Sequence, residues 1–300
     1  MIRNLAALVA AGLIAGCSHF DTLQPEPAPS PRAADFQPAA AAPEDGLTAP
    51  QRDLYRQYQG LQRSINAEMP QILQGNNPSG FNNVIYLLGI LDRDVLLQGN
   101  YRRQSVEACL AQYEVVRFVN ATARQLLWAG RTYGHGYHMN PTEEEGSKLQ
   151  LGHLIGRTQF GIQCGPYSYN LQASGLTQER DGSHYESVID QTLWGRYTTF
   201  VERVHEEART RDPVASVRDP TAVPELEELA AIAENPALSC AHAERIRSHV
   251  NSTAAATLAF YHLQLFSEQP IIDSPDAGAI TIRLADVMAR TEGSYVCPSP

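Results

Sequence analysis

The chain has 300 residues and 43% hydrophobic content, enough for a substantial buried core, so a wholly disordered protein is excluded. Its 23 basic and 33 acidic side chains give a formal net charge of -10. With no local basic patch, a phosphate-tracking nucleic-acid binder is excluded as well. Twenty-two of the basic residues are Arg and only Lys148 is Lys, which reads as GC-rich coding and not as function.

Arg3 supplies a short positive start, Leu5 to Ile14 form an apolar run of ten residues, and Ala15-Gly16 precede Cys17. The run is too short to span a bilayer as a helix and reads as a signal peptide over 1-16. Ile14-Ala15-Gly16-Cys17 resembles the lipobox of bacterial lipoproteins. That resemblance implies cleavage before Cys17, a thioether-linked diacylglycerol on its sulfur and usually an acylated amine. Two or more chains, at about 0.8 kcal/mol per buried CH₂, would anchor it stably. Ser18 follows and not Asp, which by the same resemblance implies sorting to the outer membrane, with the body on the periplasmic side.

Residues 17-48 carry six prolines in an Ala-rich, aromatic-poor background, with Asp21, Glu26, Asp35, Glu44 and Asp45 against Arg32. Such a stretch favours extended conformers and builds no core, so it is expected to be a tether reaching up to roughly 90 Å at about 3.1 Å per residue.

From Pro50 onward the periodicity is helical. Leu54, Tyr58, Leu61, Ile65, Met69 and Ile72 recur in steps of three and four until Gly75-Asn76-Asn77-Pro78 stops them. A more apolar helix is expected over 81-98 and a third over 102-129, followed by an irregular stretch at 130-142 and a helix to about 158. Ser183-x-x-Glu186 reads as a capping box for a helix through Ile189, Leu193, Tyr197, Phe200 and Val204. Three prolines in 213-224 suggest a linker between sub-halves 49-212 and 222-300. A short helix over 225-233, a long one from Ser239, and one opened by Ser274-Pro275 complete the series. The fold class is therefore all-α, a bundle of about eight helices in a domain spanning 49-300.

Four further cysteines, Cys109, Cys164, Cys240 and Cys297, allow three pairings in a compartment that permits disulfides. Cys109 and Cys164 lie at similar distances on either side of the 130-142 turn, and Cys240 and Cys297 flank a helical hairpin. Geometry favours Cys109-Cys164 and Cys240-Cys297, two staples each closing more than 50 residues.

The most unusual local sequence is Gly134-His135-Gly136-Tyr137-His138-Met139-Asn140-Pro141, followed by Glu143, Glu144 and Glu145. Loops on rigid scaffolds often carry function, so His135, Tyr137, His138 and Glu145 form a candidate binding loop. The spacing fits no metal motif, and no cofactor is assigned. Thr142-x-x-Glu145 also reads as a capping box.

Several enzyme patterns fail on residue identity. His205-Glu206-Glu207-Ala208-Arg209 has Arg where HExxH needs its second His. Glu202-x-x-His205 lacks the second pair that a di-iron site requires. Gln163-Cys164-Gly165-Pro166-Tyr167 places Tyr where a papain-type nucleophile would stand. Glu186-Ser187 resembles the catalytic start of lytic transglycosylases without the segment that should follow. No catalytic residue is assigned. The sequence thus predicts an outer-membrane-anchored, periplasmic lipoprotein that binds another protein as an accessory, inhibitor or assembly factor. Two alternatives stand beside it: an envelope hydrolase with its site around 134-145, and a purely structural tether.

Overall fold

The computed structural model describes residues 46–96, 105–138, 140–159, 162–164, 167–169, 174–180, 187–210, 222–265 and 274–297. Cys17, the expected tether as far as residue 45 and the Ser183–Glu186 box lie outside the described residues, as does most of the Pro-rich linker; the end of the expected tether instead joins the fold, with Leu47 buried in the core and Thr48 at the N-cap of the first helix. The chain is all-α, as its periodicity requires. Eight α-helices run in order among the described residues: α1 (Ala49–Ile72), α2 (Pro78–Ile90), α3 (Val106–Tyr137), α4 (Pro141–Thr158), α5 (Val188–Thr210), α6 (Ala222–Glu234), α7 (Cys240–Leu265) and α8 (Ser274–Thr291). A π-helical turn, Leu91–Leu96, extends α2.

Side-chain caps set several starts. Asn77, Ser105 and Asn140 accept hydrogen bonds from the backbone N–H of Gly80, Ala108 and Glu143. Pro78 and Pro141 occupy first-turn positions, where the missing N–H costs nothing. Thr142 is therefore inside α4, and the cap expected at Thr142 belongs to Asn140.

α3 is 32 residues long, about 48 Å, and is the central strut. It packs on α1 and α2 on one side and on α4 and α8 on another, burying Ala108, Ala111, Val115, Val119, Ala123 and Leu126. α7 and α8 form a hairpin against α4, and α6 leans on both. Close approach of α4 and α8 depends on Gly152, where a Cβ would sit 2.8 Å from Thr281. Helices from both sides of the 213–224 segment thus share one apolar core.

Beside the helices that the periodicity predicts, four short strands are present among the described residues. β1 (Ile162–Cys164) and β2 (Tyr167–Tyr169) pair antiparallel. β3 (Thr177–Glu179) pairs parallel with β4 (Ser294–Val296), with Gln178 opposite Tyr295. Gly293, at φ +80°, turns the chain from α8 into β4 where a Cβ would strike the Leu176 carbonyl.

Of the two expected staples, Cys240–Cys297 lies among the described residues, and Cys109 is disulfide-bonded to a partner outside the described side chains. Cys240–Cys297 joins the start of α7 to the residue after β4, with Cα atoms 5.5 Å apart. Cys109 is buried and engaged on α3, and β1, which carries Cys164, packs against that helix. The Cys164 side chain lies outside the described residues.

Polar residues lock the same end of the bundle. Arg124 on α3 donates to Asn120 at 2.8 Å, Gln159 at 2.7 Å and Asn251 at 2.6 Å, and pairs with Glu292 at 3.3 Å. Arg247 on α7 is fully buried, donates to the Thr291 carbonyl at 3.0 Å and lies 4.1 Å from the centre of the Tyr295 ring. Arg180 lies 4.8 Å from the same ring and donates to the Ala233 carbonyl at the end of α6. Burial pulls Arg247 below the ordinary guanidinium value, opposed by Tyr295, Glu244 and Glu292.

Candidate functional site

The segment expected to be an irregular loop is mostly helix. α3 continues to Tyr137, and the His138 N–H closes its last turn on the Gly134 carbonyl at 3.1 Å. The expected break after 129 fails because Gly134 and Gly136 have open space around them and cost the helix only propensity, while Tyr137 gains burial that outweighs it. Tyr137 stacks on Phe81 with ring centroids 4.7 Å apart, and its hydroxyl donates to the Ile72 carbonyl at the end of α1. Burial raises its pKa, with Tyr133 adding to the effect.

His138 follows at the cap, edge-on to Phe81 at 5.3 Å, with Nδ1 buried and unpaired. Burial holds its pKa below the ordinary imidazole value, opposed by Glu144 and Glu143. Glu144 is drawn down by its 2.8 Å pair with Lys148, which also reaches Asp286 at 3.1 Å. Glu145 is exposed, and the His135 side chain lies outside the described residues. The four residues of the expected binding loop are therefore divided: Tyr137 and His138 pack onto Phe81, and Glu145 faces solvent.

A different part of the molecule has the geometry of a binding surface. α5 carries Asp190, Trp194 and Tyr197 at intervals of four and three, one helix face. That face lies on His242, Arg245 and His249 of α7. Asp190 is fully buried and accepts from the Ser239 N–H at 2.7 Å and from His242 Nδ1 at 2.9 Å. The His242 ring stacks on Trp194 at 4.1 Å and 13°, with the Arg245 guanidinium 5.6 Å from the Trp194 ring centre. One turn further on, the Tyr197 hydroxyl meets His249 Nδ1 at 2.9 Å.

The adjacent face of α5 opens onto α6. Arg196, Thr199, Phe200 and Arg203 on α5 and Glu225, Glu228, Leu229 and Ile232 on α6 line a cleft of about 310 Å³. Phe200, Leu229 and Ile232 provide an apolar floor. Two ion pairs cross it, Arg196–Glu228 and Arg203–Glu225, so the helices run past each other in opposite senses. The Arg203 guanidinium also covers Phe200 at 5.5 Å. Ile189, seven residues before Arg196, continues the same helical stripe and is 56% exposed beside the still more exposed Val188. This combination offers a partner an apolar floor flanked by two half-exposed ion pairs, which is the chemistry of protein docking.

Tyr197 and Phe200 are expected from the sequence as parts of a periodic helix, whereas Asp190, Trp194, His242, Arg196, Arg203, Glu225 and Glu228 carry no role there. The available signal is the heptad spacing of Arg196 and Arg203 around Phe200, set against the acidic first turns of α6. Among the described residues no group of three or more His, Cys, Asp or Glu side chains could hold a metal ion, and no helix is long and apolar enough to cross a membrane. No protein-family model, curated protein or solved structure matches this chain.

Proposed function

We propose that this chain is an envelope lipoprotein, anchored at the outer membrane through acyl chains on Cys17, that works on the periplasmic side by binding protein, as an accessory, inhibitor or assembly factor. The anchoring part is supported by the charge, apolar run, small residues and Cys17 standing in order, followed by Ser18. The binding part is carried by one observation: the α5–α6 cleft, with an apolar floor, an ionic rim and an exposed Ile189 at its end. A Pro-rich tether would let such a surface range from the membrane while staying attached to it.

Each part has its own test. Placing a photo-crosslinking side chain at Thr199, which lines the cleft, should trap a discrete protein adduct in cells making the full chain. The same group at exposed Glu145 should not. Equal trapping at both positions, or none at Thr199, would remove the cleft as the docking surface. Changing Cys17→Ser should release the chain from the membrane fraction and abolish fatty-acid labelling; a variant that stays labelled and bound rules out the anchor.

A further inference from the structure

We propose that the occupant of the α5–α6 cleft is a second copy of this chain, packed about a two-fold axis running along the cleft. This rests on the reading of the cleft as a docking surface and names its partner. The argument is one of self-complementarity. All the cationic groups of the rim are on α5 and all the anionic ones are on α6. A two-fold axis parallel to the cleft lays α5 of one copy over α6 of the other and preserves position along the axis. Arg196 then faces Glu228 of the partner subunit, and Arg203 faces Glu225 of the partner subunit. Each rung becomes a square of two arginines and two glutamates in alternation, so the ion pairs within each copy are kept while new ones form between copies. An axis across the cleft would instead set arginine on arginine. The charge arrangement therefore selects one two-fold orientation and penalises the other.

The apolar groups obey the same symmetry. Leu229 and Ile232 are buried within each copy, so the apolar groups offered to the partner are the part-buried Phe200 and the exposed Ile189. Helices of 23 and 13 residues are about 34 and 20 Å long. The stretch the two helices share is about 20 Å long and about two helix widths across, roughly 400 Å² per partner, at the small end of interface sizes, where association is weak. The rim side chains are half-exposed, with Arg196 at 56% and Glu228 at 50%, so they are available to a second partner.

The test uses complementary charge reversals in the purified full chain, followed by sedimentation over a concentration series. The variant R196E/R203E has an all-acidic rim, and E225R/E228R an all-basic one. The wild type should form a dimer that weakens as salt is raised. Each variant alone should associate at least about tenfold more weakly. Mixed one to one, the two variants should form a heterodimer of near wild-type strength, and the fourfold variant R196E/R203E/E225R/E228R should dimerise again. Circular dichroism checks that every variant is folded, as exposed ion pairs contribute little to the fold.

A wild type that stays monomeric up to about 500 μM overturns the second copy as occupant. A Thr199 adduct to a different protein would then leave the docking reading standing, and no adduct would end both. A wild-type dimer whose association is unchanged by both reversals, or variants that fail to pair with each other, would place the interface elsewhere and overturn the proposal.

Discussion

The molecule uses arginine–glutamate pairing in two places with opposite surroundings. At the end of the bundle, Arg124 and Glu292 have side chains only 8% and 2% exposed and are enclosed by Asn120, Gln159 and Asn251. At the α5–α6 cleft, Arg196 and Glu228 are 56% and 50% exposed and bridge two helices across open space. The buried guanidinium has lost its water and depends on each fixed partner, so the pair specifies one register of α3, α7 and the segment after α8. The exposed one gives up little when it changes partner. Identical chemistry thus fixes architecture where it is dry and leaves a surface open to exchange where it is wet.

The contrast is broken most sharply by removing the buried member. Arg124→Leu leaves Glu292 without its cation and strips Asn120, Asn251 and Gln159 of a donor; about 5 kcal/mol of stability should be lost in urea unfolding. The disulfide at the same end is next. Replacing both Cys240 and Cys297 with Ala opens a loop spanning 57 residues and should cost about 4 kcal/mol by the same measurement. A loss below about 1 kcal/mol from either change would mean that this end does not hold the bundle together.

His138 probes an intermediate case, a half-buried imidazole kept neutral by burial. Its folded pKa lies below the unfolded value, so the unfolded chain takes up a proton first as pH falls. Its contribution to stability is therefore complete above the ordinary imidazole value of about 6.5 and is lost below it. His153, also lowered by burial, acts in the same direction, whereas buried Asp92 and Glu244, raised by burial, act oppositely at lower pH. Comparing wild type with His138→Phe isolates the one group: the wild type should lose more stability than the variant between about pH 7.5 and about pH 5.5. Parallel curves would mean that the ring titrates alike in both states. The smallest effect belongs to the exposed straps. Arg203→Ala should cost less than about 1 kcal/mol in thermal unfolding, and that cost should shrink as salt is added.

Much of the architecture is legible in the sequence because helices are local. The stripe from Tyr58 to Ile72 is the buried face of α1, although Tyr55 is buried where Leu54 was expected to lead. Ser274-Pro275 opens α8, and α4 ends at Thr158 as the pattern indicates. What fails locally is the stretch around Gly134, where propensity argues for a break and burial of Tyr137 on Phe81 wins. What is invisible is long-range. Arg124 meets Glu292 across 168 residues and Arg196 meets Glu228 across 32, and nothing in the local pattern of an arginine-rich chain separates these from the other arginines. The candidate site was legible only as an aromatic helix. Its ionic rim needs α6 to be in place, and the buried Asp190 is identifiable only once α7 brings Ser239 and His242 to it.

The position of Glu292 also sets a clock on synthesis. Arg124 emerges 168 residues ahead of its partner, which at typical elongation rates is a wait on the order of ten to thirty seconds. Throughout that interval the central strut of the bundle carries a cation destined for the interior with its anion not yet made. β4 and Cys297 arrive later still, so the strand, the ring beneath the two guanidiniums and the disulfide all close together, last. A chain truncated by its final ten residues would keep its helices and lose Glu292, β4 and Cys297.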